Sequence, residues 1–591
     1  MKHVRWIWSF WRPHRRWLIL LILLALLSSG VTIGYPLVFR YLIDAINKAL
    51  AHHDPKMAAS TTWRLIGLIL VIGFARSLSN LYPGTRAMLN AKLEMDVRRH
   101  YFSLILEKGY RFFQKFRIGD LVTRLTDDIG GFPKIAWFSC SGIFRAVESA
   151  SKFIFCMAFM LDMNWRLALL SITPLPVMLY IFYRIRISLG QRARERQQVI
   201  SEVNDSLEAA FSGVRILKAF NSEAGQTERF RELLKKRIGI ELRLLRLWMG
   251  VSNIYFGIQF VGQIIVIVAG GMMVIQSTLT LGEFYAFYVY LSLLLQPLMD
   301  IPNLFVSSRQ AFASIDREIE MEETSGGTEG IYTGRETLAR VDSVELQGVA
   351  FRYEDNLPLA ADGVSLTLRR GERAAVVGPV GSGKSTLIKL VAGLLPPSAG
   401  DVRVNGRPLS DWNINEFRAR VGYIPQEATL FSESVIDNVT FGRAIAKDMA
   451  VRALDLAQVK DEMAALPAGF DQVLGQKGLT VSGGQKQRLA IARALAGQPD
   501  VLLMDDCTAS LDAENERKFW AMFRETFPDA ACVIVTHRLA TARQADVIYV
   551  LVDGRIVGKG THAELLETCQ AYRNFLTREE LQAALAATRV A

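Results

Sequence analysis

The stretch from Val481 to Asp512 reads VSGGQKQRLAIARALAGQPDVLLMDDCTASLD and decides the fold of the second half of the chain. It opens with two glycines after a serine and continues through a basic amphipathic segment. Val501–Met504 is a short continuous apolar run, typical of a parallel strand covered on both faces. Asp505 and Asp506 follow that strand, at the edge where open α/β sheets hold their ligands. The stretch therefore predicts an α/β domain that handles a charged ligand.

A phosphate-binding motif lies upstream of this stretch. Residues 378–385 read GPVGSGKS and match G-x-x-x-x-G-K-[ST], between the apolar run Ala374–Val377 and the helix-like segment Thr386–Ala392. In such a strand–loop–helix, glycines let backbone N–H groups cradle phosphate oxygens at the positive end of a helix. Lys384 would supply a charge to the terminal phosphates, and Ser385 a hydroxyl ligand for Mg²⁺.

The two strand-end acids fit the same chemistry. Asp505 is placed to hold Mg²⁺, directly or through water, and Asp506 to polarise an attacking water. The structural alternative for such a pair is two solvated helix caps. Because the phosphate motif lies in the same domain, we favour the catalytic interpretation.

The first half of the chain is predicted to lie in a membrane. Half of the 591 residues are hydrophobic, and they concentrate in this half. Six stretches are long and apolar enough to cross a bilayer, at about 18–43, 62–83, 138–161, 164–184, 249–276 and 281–306. The third and fourth are separated only by a tight hairpin at Asp162–Asn164. Two long connections, after the second and fourth spans, show helical periodicity and continue the spans as long cytoplasmic helices.

The formal net charge of +11 has two interpretations. In a soluble protein it would suggest nucleic acid as a partner, but many basic residues here flank apolar runs, so the positive-inside rule explains them better and no nucleic-acid partner is expected. The basic N-terminus and both long connections are then cytoplasmic. Residues 1–16 are basic and rich in tryptophan and suit an interfacial segment. The apolar run after them is too long for a signal peptide and is predicted to be retained.

Polar residues in the spans leave two interpretations open. Arg145, Glu148 and Lys152 share one helix face, and either form a polar wall along a substrate path or pair among themselves near the cytoplasmic end. We favour pairing. The same ambiguity holds for four further residues, Gln259, Gln263, Gln296 and Asp300.

The domain boundaries follow from composition. We predict an interfacial segment at 1–16, a transmembrane domain at 17–312, an acidic, glycine-rich linker at 313–340, an α/β domain at 341–578 and a tail at 579–591. The five cysteines show no paired or metal-ligand spacing, so neither disulfides nor a metal cage is expected.

Taken together, the phosphate motif, Val481–Gln485 and the strand acids resemble the nucleotide-binding domain of an ABC transporter. With six spans and two long connections, essentially the whole chain resembles an exporter-type half-transporter. This implies a six-span helical membrane domain with long cytoplasmic helices, followed by an α/β P-loop NTPase domain of ABC type. The implied activity is ATP hydrolysis coupled to transmembrane transport, with ATP and Mg²⁺ as cofactors.

The resemblance assigns further residues. Tyr353 matches the aromatic that stacks on adenine, Gln426 a glutamine that contacts Mg²⁺, and His537 the switch histidine at the γ-phosphate. The ATP set is Tyr353, Gly378, Pro379, Val380, Gly381, Ser382, Gly383, Lys384, Ser385, Thr386, Gln426 and His537; the catalytic set is Asp506, His537 and Gln426; the Mg²⁺ set is Ser385, Gln426 and Asp505.

The family pattern also implies a dimer. Ser482, Gly483, Gly484 and Gln485 would contact ATP held by a partner's phosphate loop, and Asp512 belongs to the loop that crosses to the other nucleotide domain. Segments Gly119–Asp128 and Ser212–Ser222 resemble coupling helices that dock on a nucleotide domain.

One departure from the pattern is informative. The family usually has glutamate, then proline, where this chain has Asp506 and Cys507. Aspartate is shorter by one methylene, on the order of 1 Å, which can cost about 10²-fold in rate. Gln476 and Lys477 replace the common Glu and Arg, and Val481 the common Leu. The chain thus resembles the degenerate-site member of heterodimeric multidrug exporters, although His537 is retained.

These features predict export of hydrophobic or amphipathic small molecules or lipids by a dimer with a second half-transporter, a different chain carrying the catalytic glutamate. The expected location is the bacterial inner membrane, with the nucleotide-binding domain cytoplasmic. The alternatives are a homodimeric exporter, an exporter-fold importer, and an ATP-gated regulatory or channel ATPase.

Overall fold

A computed structural model describes residues 2–52, 55–327, 331–354, 356–475, 481–506 and 513–577. The chain forms two compact units. The first comprises Met1–Phe102 and Val122–Glu320, and the second Ser103–Leu121 and Met321–Ala591. The predicted tail 579–591, Asp512, Cys507, Gln476 and Lys477 lie outside the described residues.

The chain before residue 324 is helical. Its α-helices are α1 Lys2–Trp11, α2 Arg15–His52, α3 Pro55–Ser79, α4 Leu81–Glu107, α5 Tyr110–Lys115, α6 Ile118–Thr123, α7 Ile135–Trp137, α8 Ile143–Ile172, α9 Pro174–Ser212, α10 Val214–Ala219, α11 Glu223–Ile265, α12 Gly271–Ile275 and α13 Leu281–Glu323. Three single π-turns occur among the described residues: Phe138–Gly142 and Val266–Gly270 join consecutive helices, and Arg124–Asp128 follows α6.

Four of the described helical stretches are long and apolar enough to cross a membrane, namely Lys2–Lys48, Thr62–Glu107, Ile135–Val177 and Glu223–Ile275, and Leu281–Leu294 is a shorter apolar helix. The third stretch covers the predicted third span and much of the fourth. It is interrupted at Asn164, whose φ of −160° and ψ of 103° are extended, at the predicted hairpin. The Asn164 side chain accepts a hydrogen bond from Leu167 N, which caps the helix that follows. A helical membrane domain is thus present, and the count of six spans stays a prediction.

Helix α13 continues through Glu323, beyond the predicted start of the linker at residue 313. Ala311, Ile315 and Ile319 are buried along one face at helical spacing, so packing holds the helix despite its acidic composition. The buried Asp128 carboxylate also accepts hydrogen bonds from Ser314 and Arg317. The described part of the linker is therefore irregular only after Glu323.

Several polar residues of the membrane unit pair among themselves. Glu148 accepts a hydrogen bond from Lys152 Nζ at 2.6 Å and lies 4.0 Å from Arg86 Nη1. Gln263 donates to Ser292 Oγ at 3.2 Å, and Gln259 is half-buried. The side chain of Gln296 lies outside the description. Pairing thus accounts for Glu148 and Lys152, whereas Arg145 has a different environment, taken up below.

The second unit contains two sheets. Their strands are β1 Ser343–Phe351, β2 Ala361–Arg369, β3 Arg373–Val377, β4 Ala399–Val404, β5 Arg407–Pro408, β6 Val421–Ile424, β7 Val501–Asp505, β8 Ala531–Val535, β9 Val547–Val552 and β10 Arg555–Gly560. One sheet is antiparallel, in the order β2-β1-β4-β5. The other has the order β10-β9-β3-β8-β7-β6, parallel except for β10. This confirms the predicted α/β domain.

The described residues of this unit form nine further α-helices. They are α14 Lys384–Val391, α15 Ile414–Ala419, α16 Val435–Thr440, α17 Lys447–Leu456, α18 Lys460–Ala464, α19 Gly483–Ala496, α20 Ala513–Thr526, α21 Leu539–Ala542 and α22 His562–Thr568. Every residue of β7 and β8 is buried, as their continuous apolar sequences predict for strands covered on both faces. Since β3, β7 and β8 are adjacent and parallel, their carboxyl ends bring the phosphate motif, Asp505 and His537 to one edge.

Candidate functional site

The loop between β3 and α14 has a backbone that favours glycine at two positions, Gly381 and Gly383. Gly383 has φ of +99°, and a Cβ there would lie 2.1 Å from the carbonyl oxygen of Ala360. Gly381 also has a positive φ, +83°, but a Cβ there would meet no atom within 4 Å. The loop therefore turns tightly into the N-terminus of α14, where free N–H groups favour an anion.

Lys384 and Ser385, the first residues of α14, point their polar atoms into the same region. Lys384 is buried, and its Nζ donates to the carbonyls of Gly378 at 2.9 Å and Pro379 at 2.7 Å. Ser385 Oγ donates to Asp505 Oδ1 at 3.0 Å. The hydroxyl and carboxylate that the sequence assigns to Mg²⁺ are thus adjacent, although 120 residues separate them.

Asp506 has an unusual backbone and a side-chain oxygen without a partner. Its φ of +46° is in the left-handed region, and its N–H donates to Val535 O at 2.9 Å. Its Oδ1 is buried and makes no hydrogen bond with any described residue. A strained residue with an unsatisfied carboxylate oxygen at a sheet edge is typical of a functional position.

These side chains enclose a cavity of about 380 Å³. Its lining is Tyr353, Ala360, Val380, Gly381, Gly383, Lys384, Ser385, Thr386, Gln426, Asp505, Asp506, Val535 and His537. Tyr353 is held in place by a 3.0 Å hydrogen bond between its hydroxyl and Thr386 Oγ1. Gly378, Pro379 and Ser382 belong to the same loop but do not line this cavity. The cavity combines an aromatic side chain, a lysine and two carboxylates.

Burial shifts the pKa values of three cavity residues, Lys384, Asp505 and His537, in the direction that favours their neutral forms. It lowers the pKa of Lys384 and raises that of Asp505, the latter against the hydrogen bond from Ser385. The pKa of His537 is lowered by burial and by the nearby Lys384 charge. Burial, with a contribution from Asp505, raises the pKa of Tyr423 to about 12. A polyanion with a cation would compensate these penalties, which fits a site for a phosphate ester and a metal ion.

The oxygen ligands also fit Mg²⁺. This ion prefers hard oxygen donors and few protein ligands, the remainder coming from phosphates and water. Ser385 Oγ, Asp505 Oδ1 and the unpartnered Oδ1 of Asp506 supply such donors at one edge of the cavity. Gln426 lines the cavity with an exposed side chain, and no described contact fixes it.

The residues Ser482–Gln485 do not line this cavity, and their contact with a partner's ATP stays a prediction. Ser482 is the N-cap of α19: its hydroxyl accepts from Gln485 N, and Gln485 Oε1 accepts from Ser482 N at 2.7 Å. Ser482 and Gly483 are exposed. This capping box leaves the N-terminus of α19 rigid and open to solvent. In the same helix Gln487 donates to Pro425 O at 3.1 Å, next to Gln426, a contact that the sequence did not predict.

A buried carboxylate behind His537 was also missed. Glu516 of α20 accepts a hydrogen bond from Thr541 Oγ1 at 2.5 Å and lies 3.5 Å from Arg538 Nη1. These contacts hold the loop between β8 and α21, which carries His537. No motif marks Glu516, and its exposed neighbour Glu514 pairs with Lys518 on the helix surface.

Helix α5 contacts the same unit near Tyr353. Tyr110 OH accepts from Lys389 Nζ at 3.1 Å, and the guanidinium of Arg111 lies 5.2 Å from the centre of the Phe351 ring. Arg111 also donates to Arg352 O at 3.1 Å. Helix α5 therefore contacts this unit and precedes the predicted coupling segment Gly119–Asp128, whose docking stays a prediction. Its aromatic and basic residues, YRFFQK, suit a surface of aromatic rings and carbonyls.

Comparison with known proteins agrees with this geometry. Residues 18–298 match the family "ABC transporter transmembrane region", and residues 361–509 match "ABC transporter". The chain is 30% identical to a Bacillus subtilis protein named "probable multidrug resistance ABC transporter ATP-binding/permease protein YheI", over 89% of this chain and 91% of that protein. It is 29% identical to the ATP-dependent lipid A-core flippase of Burkholderia orbicola, over 96% of this chain and 94% of that protein.

A solved structure shares the fold. The bacterial Atm1-family ABC exporter with ATP bound superposes with a TM-score of 0.78, at 21% identity, covering 96% of this chain and 99% of the other.

Proposed function

Because this chain belongs to the ABC transporters, we propose that it is the degenerate-site half of a heterodimeric exporter of hydrophobic or amphipathic small molecules or lipids. The membrane domain fused to an ATP-binding domain makes it an exporter half-transporter, an ATPase coupled to transport. The proposal goes beyond this family membership in three respects: the identity of the partner, the asymmetry of the two ATP sites, and the class of substrate.

The observation that carries the proposal is Asp506. Its carboxylate lies at the cavity edge with an unpartnered oxygen, where a longer side chain would reach further toward the phosphates. The sequence Ser482–Gln485, here called the signature because the family uses it to contact the partner's ATP, matches the family pattern, and its capping box holds it rigidly. If Asp506 supports ATP hydrolysis poorly while the signature remains functional, this chain would contribute its signature to an active ATP site formed mainly by the partner.

Exposed apolar residues support a dimer. Helix α10 lies within the predicted coupling segment Ser212–Ser222, and Phe211, Ile216 and Phe220 are 71%, 65% and 77% exposed in the single chain. We propose that this segment docks on the partner's nucleotide-binding domain. Asp512 is proposed to cross the same interface.

We propose the following residue roles. Tyr353 stacks on adenine, the loop Gly378–Thr386 binds the phosphates, and His537 contacts the γ-phosphate. Gln426 and Asp506 position the attacking water. Mg²⁺, held by Ser385, Asp505 and Gln426, would neutralise developing phosphate charge when bound. A neutral His537, favoured by its lowered pKa, can donate from one ring nitrogen while accepting at the other.

The partner is tested by purifying the tagged chain from its native membrane and weighing the complex. The expected mass is that of this chain, 66.2 kDa, plus a second, different chain. ATPase activity of that complex should largely survive Asp506→Asn, because the partner's glutamate serves the competent site. Recovery of a dimer of this chain alone, with activity lost in Asp506→Asn, would refute the heterodimer.

Direction and coupling need a second experiment, in sealed inverted vesicles. We propose six spans and an inner-membrane location with both the N-terminus and the nucleotide domain in the cytoplasm. ATP should then drive accumulation of a hydrophobic dye inside the vesicles. ATP-dependent efflux would indicate an importer, and ATP-dependent ion current without accumulation would indicate a gated channel.

A further inference from the structure

The membrane unit contains a cavity of about 310 Å³ that the ATP site does not explain. It lies between the segment Phe132–Ala146 and helix α13. Phe132 and Trp137 form one wall, with their rings edge to face at 4.7 Å. Much of the rest of the cavity wall is formed by Gly142, Leu304 and Ser307. The lining also includes two charged residues, Arg145 and Asp300. The cavity thus combines an aromatic wall with a pair of charges.

The two charges differ in how they are satisfied. Asp300 accepts a hydrogen bond from Ser149 Oγ at 3.0 Å. Arg145, exposed in the cavity, forms no ion pair or hydrogen bond with any side chain or carbonyl that the structure describes. Glu148, one turn further along α8, is already engaged by Lys152 and lies near Arg86. Glu148 and Asp300 are therefore both engaged by donors other than Arg145.

The three neighbouring cations are arranged differently. Arg86 and Lys152 both lie beside Glu148, whereas Arg145 has no carboxylate partner among the described residues. A guanidinium within a membrane segment is costly unless an anion or water satisfies it, and such residues commonly mark substrate paths. The adjoining cavity has room for an anionic group beside an apolar one.

We propose that this cavity binds an amphiphile with an acidic head, and that Arg145 recognises the phosphate or carboxylate of that head. Guanidinium presents paired donors that match both groups, while Phe132 and Trp137 contact the apolar body. The inference rests on the proposed export function and specifies the chemistry of its substrate. The acidic head can come from a single-chain transported molecule or from a lipid of the bilayer.

Two matched probes test the charge. Lysophosphatidate and mono-oleoylglycerol carry the same acyl chain and differ by the phosphate. Binding of each radiolabelled probe is measured to the full complex in phosphatidylcholine nanodiscs at pH 7. The wild type should bind lysophosphatidate more tightly. Arg145→Gln should weaken that binding about tenfold to a hundredfold, as expected for a lost hydrogen-bonded charge pair, and leave mono-oleoylglycerol unchanged.

Three comparisons make the result specific. Arg145→Lys keeps the positive charge and should stay closer to the wild type than Arg145→Gln. Arg166→Gln removes an exposed arginine outside the cavity and should change neither affinity. Unchanged binding of the neutral probe in Arg145→Gln shows that the variant is folded. Doping the nanodiscs with phosphatidylglycerol separates the two sources: competition assigns the site to a bilayer headgroup, and no competition to a single-chain substrate.

The inference is overturned if Arg145→Gln binds lysophosphatidate as the wild type does, or loses both probes equally. ATP-dependent accumulation in vesicles is measured on the same variants. If the wild type transports lysophosphatidate and mono-oleoylglycerol equally well, recognition of the acidic head is rejected but the proposed export function is not. If the wild type shows no ATP-dependent transport at all, the proposed function itself is rejected.

Discussion

Replacing Gly383 by alanine should abolish most ATP binding, and Gly381→Ala provides a matched control. Both glycines have positive φ, +99° and +83°, so alanine at either carries a conformational cost of about 1–2 kcal/mol. Only at Gly383 does the new methyl also meet backbone, 2.1 Å from Ala360 O. That distance is more than about 1 Å short of ordinary contact, so the loop must move by about that amount.

The two substitutions should therefore differ in magnitude. The conformational cost alone predicts a loss of about fivefold to thirtyfold in ATP affinity for Gly381→Ala. Displacement of a phosphate-binding loop by about 1 Å adds a factor of about 10² for Gly383→Ala. Calorimetric titration of the purified complex with a non-hydrolysable ATP analogue measures both, and the melting temperature checks the fold. Equal losses in the two variants would refute the steric explanation.

Three further outcomes follow from the site. The pKa of His537 is lowered in the folded protein, so this histidine binds a proton more readily in the unfolded chain. The free energy of unfolding should therefore fall as the pH drops below about 6.5. His537→Gln should flatten that part of the plot of melting temperature against pH relative to the wild type. Glu516→Ala should weaken binding of a non-hydrolysable ATP analogue at this chain's own site about tenfold, because it releases the loop that carries His537. Glu514→Ala on the surface should leave that affinity unchanged, and calorimetric titration of the complex measures both. Tyr110→Ala should preserve basal ATP hydrolysis but reduce the stimulation of ATP hydrolysis by transported substrate at least severalfold. Titrations of ATPase activity with substrate measure both quantities, and equal loss of basal and stimulated activity would contradict a coupling role.

The parts of the site that depend on local sequence were predictable. The phosphate loop, the buried strand β7 and the cap at Ser482 each follow from residues that are neighbours in the chain. Their meeting at one edge follows from the parallel order of β3, β7 and β8. The α/β fold and the helical membrane domain were therefore predictable.

Other features depend on contacts that no local pattern reveals. Glu516 and Thr541 are 25 residues apart, and Tyr110 and Lys389 are 279 apart. The sequence did not predict that α13 continues to Glu323, because the acidic, glycine-rich composition of this segment resembles a linker. The helix continues because Ile315 and Ile319 are buried along one of its faces. Likewise, the sequence places Arg145, Glu148 and Lys152 on one face, but only the structure shows that Lys152 pairs with Glu148 while Arg145 has no partner among the described residues.

Helix α14 joins two binding events through a single rigid body. Its eight residues span about 12 Å, with Lys384 at the phosphate end and Lys389, which contacts Tyr110, near the other. We expect a substrate that strengthens the contact of α5 to alter ATP affinity by some factor through this helix. Thermodynamic linkage then requires ATP to alter substrate affinity by the same factor, so either titration alone measures the coupling free energy.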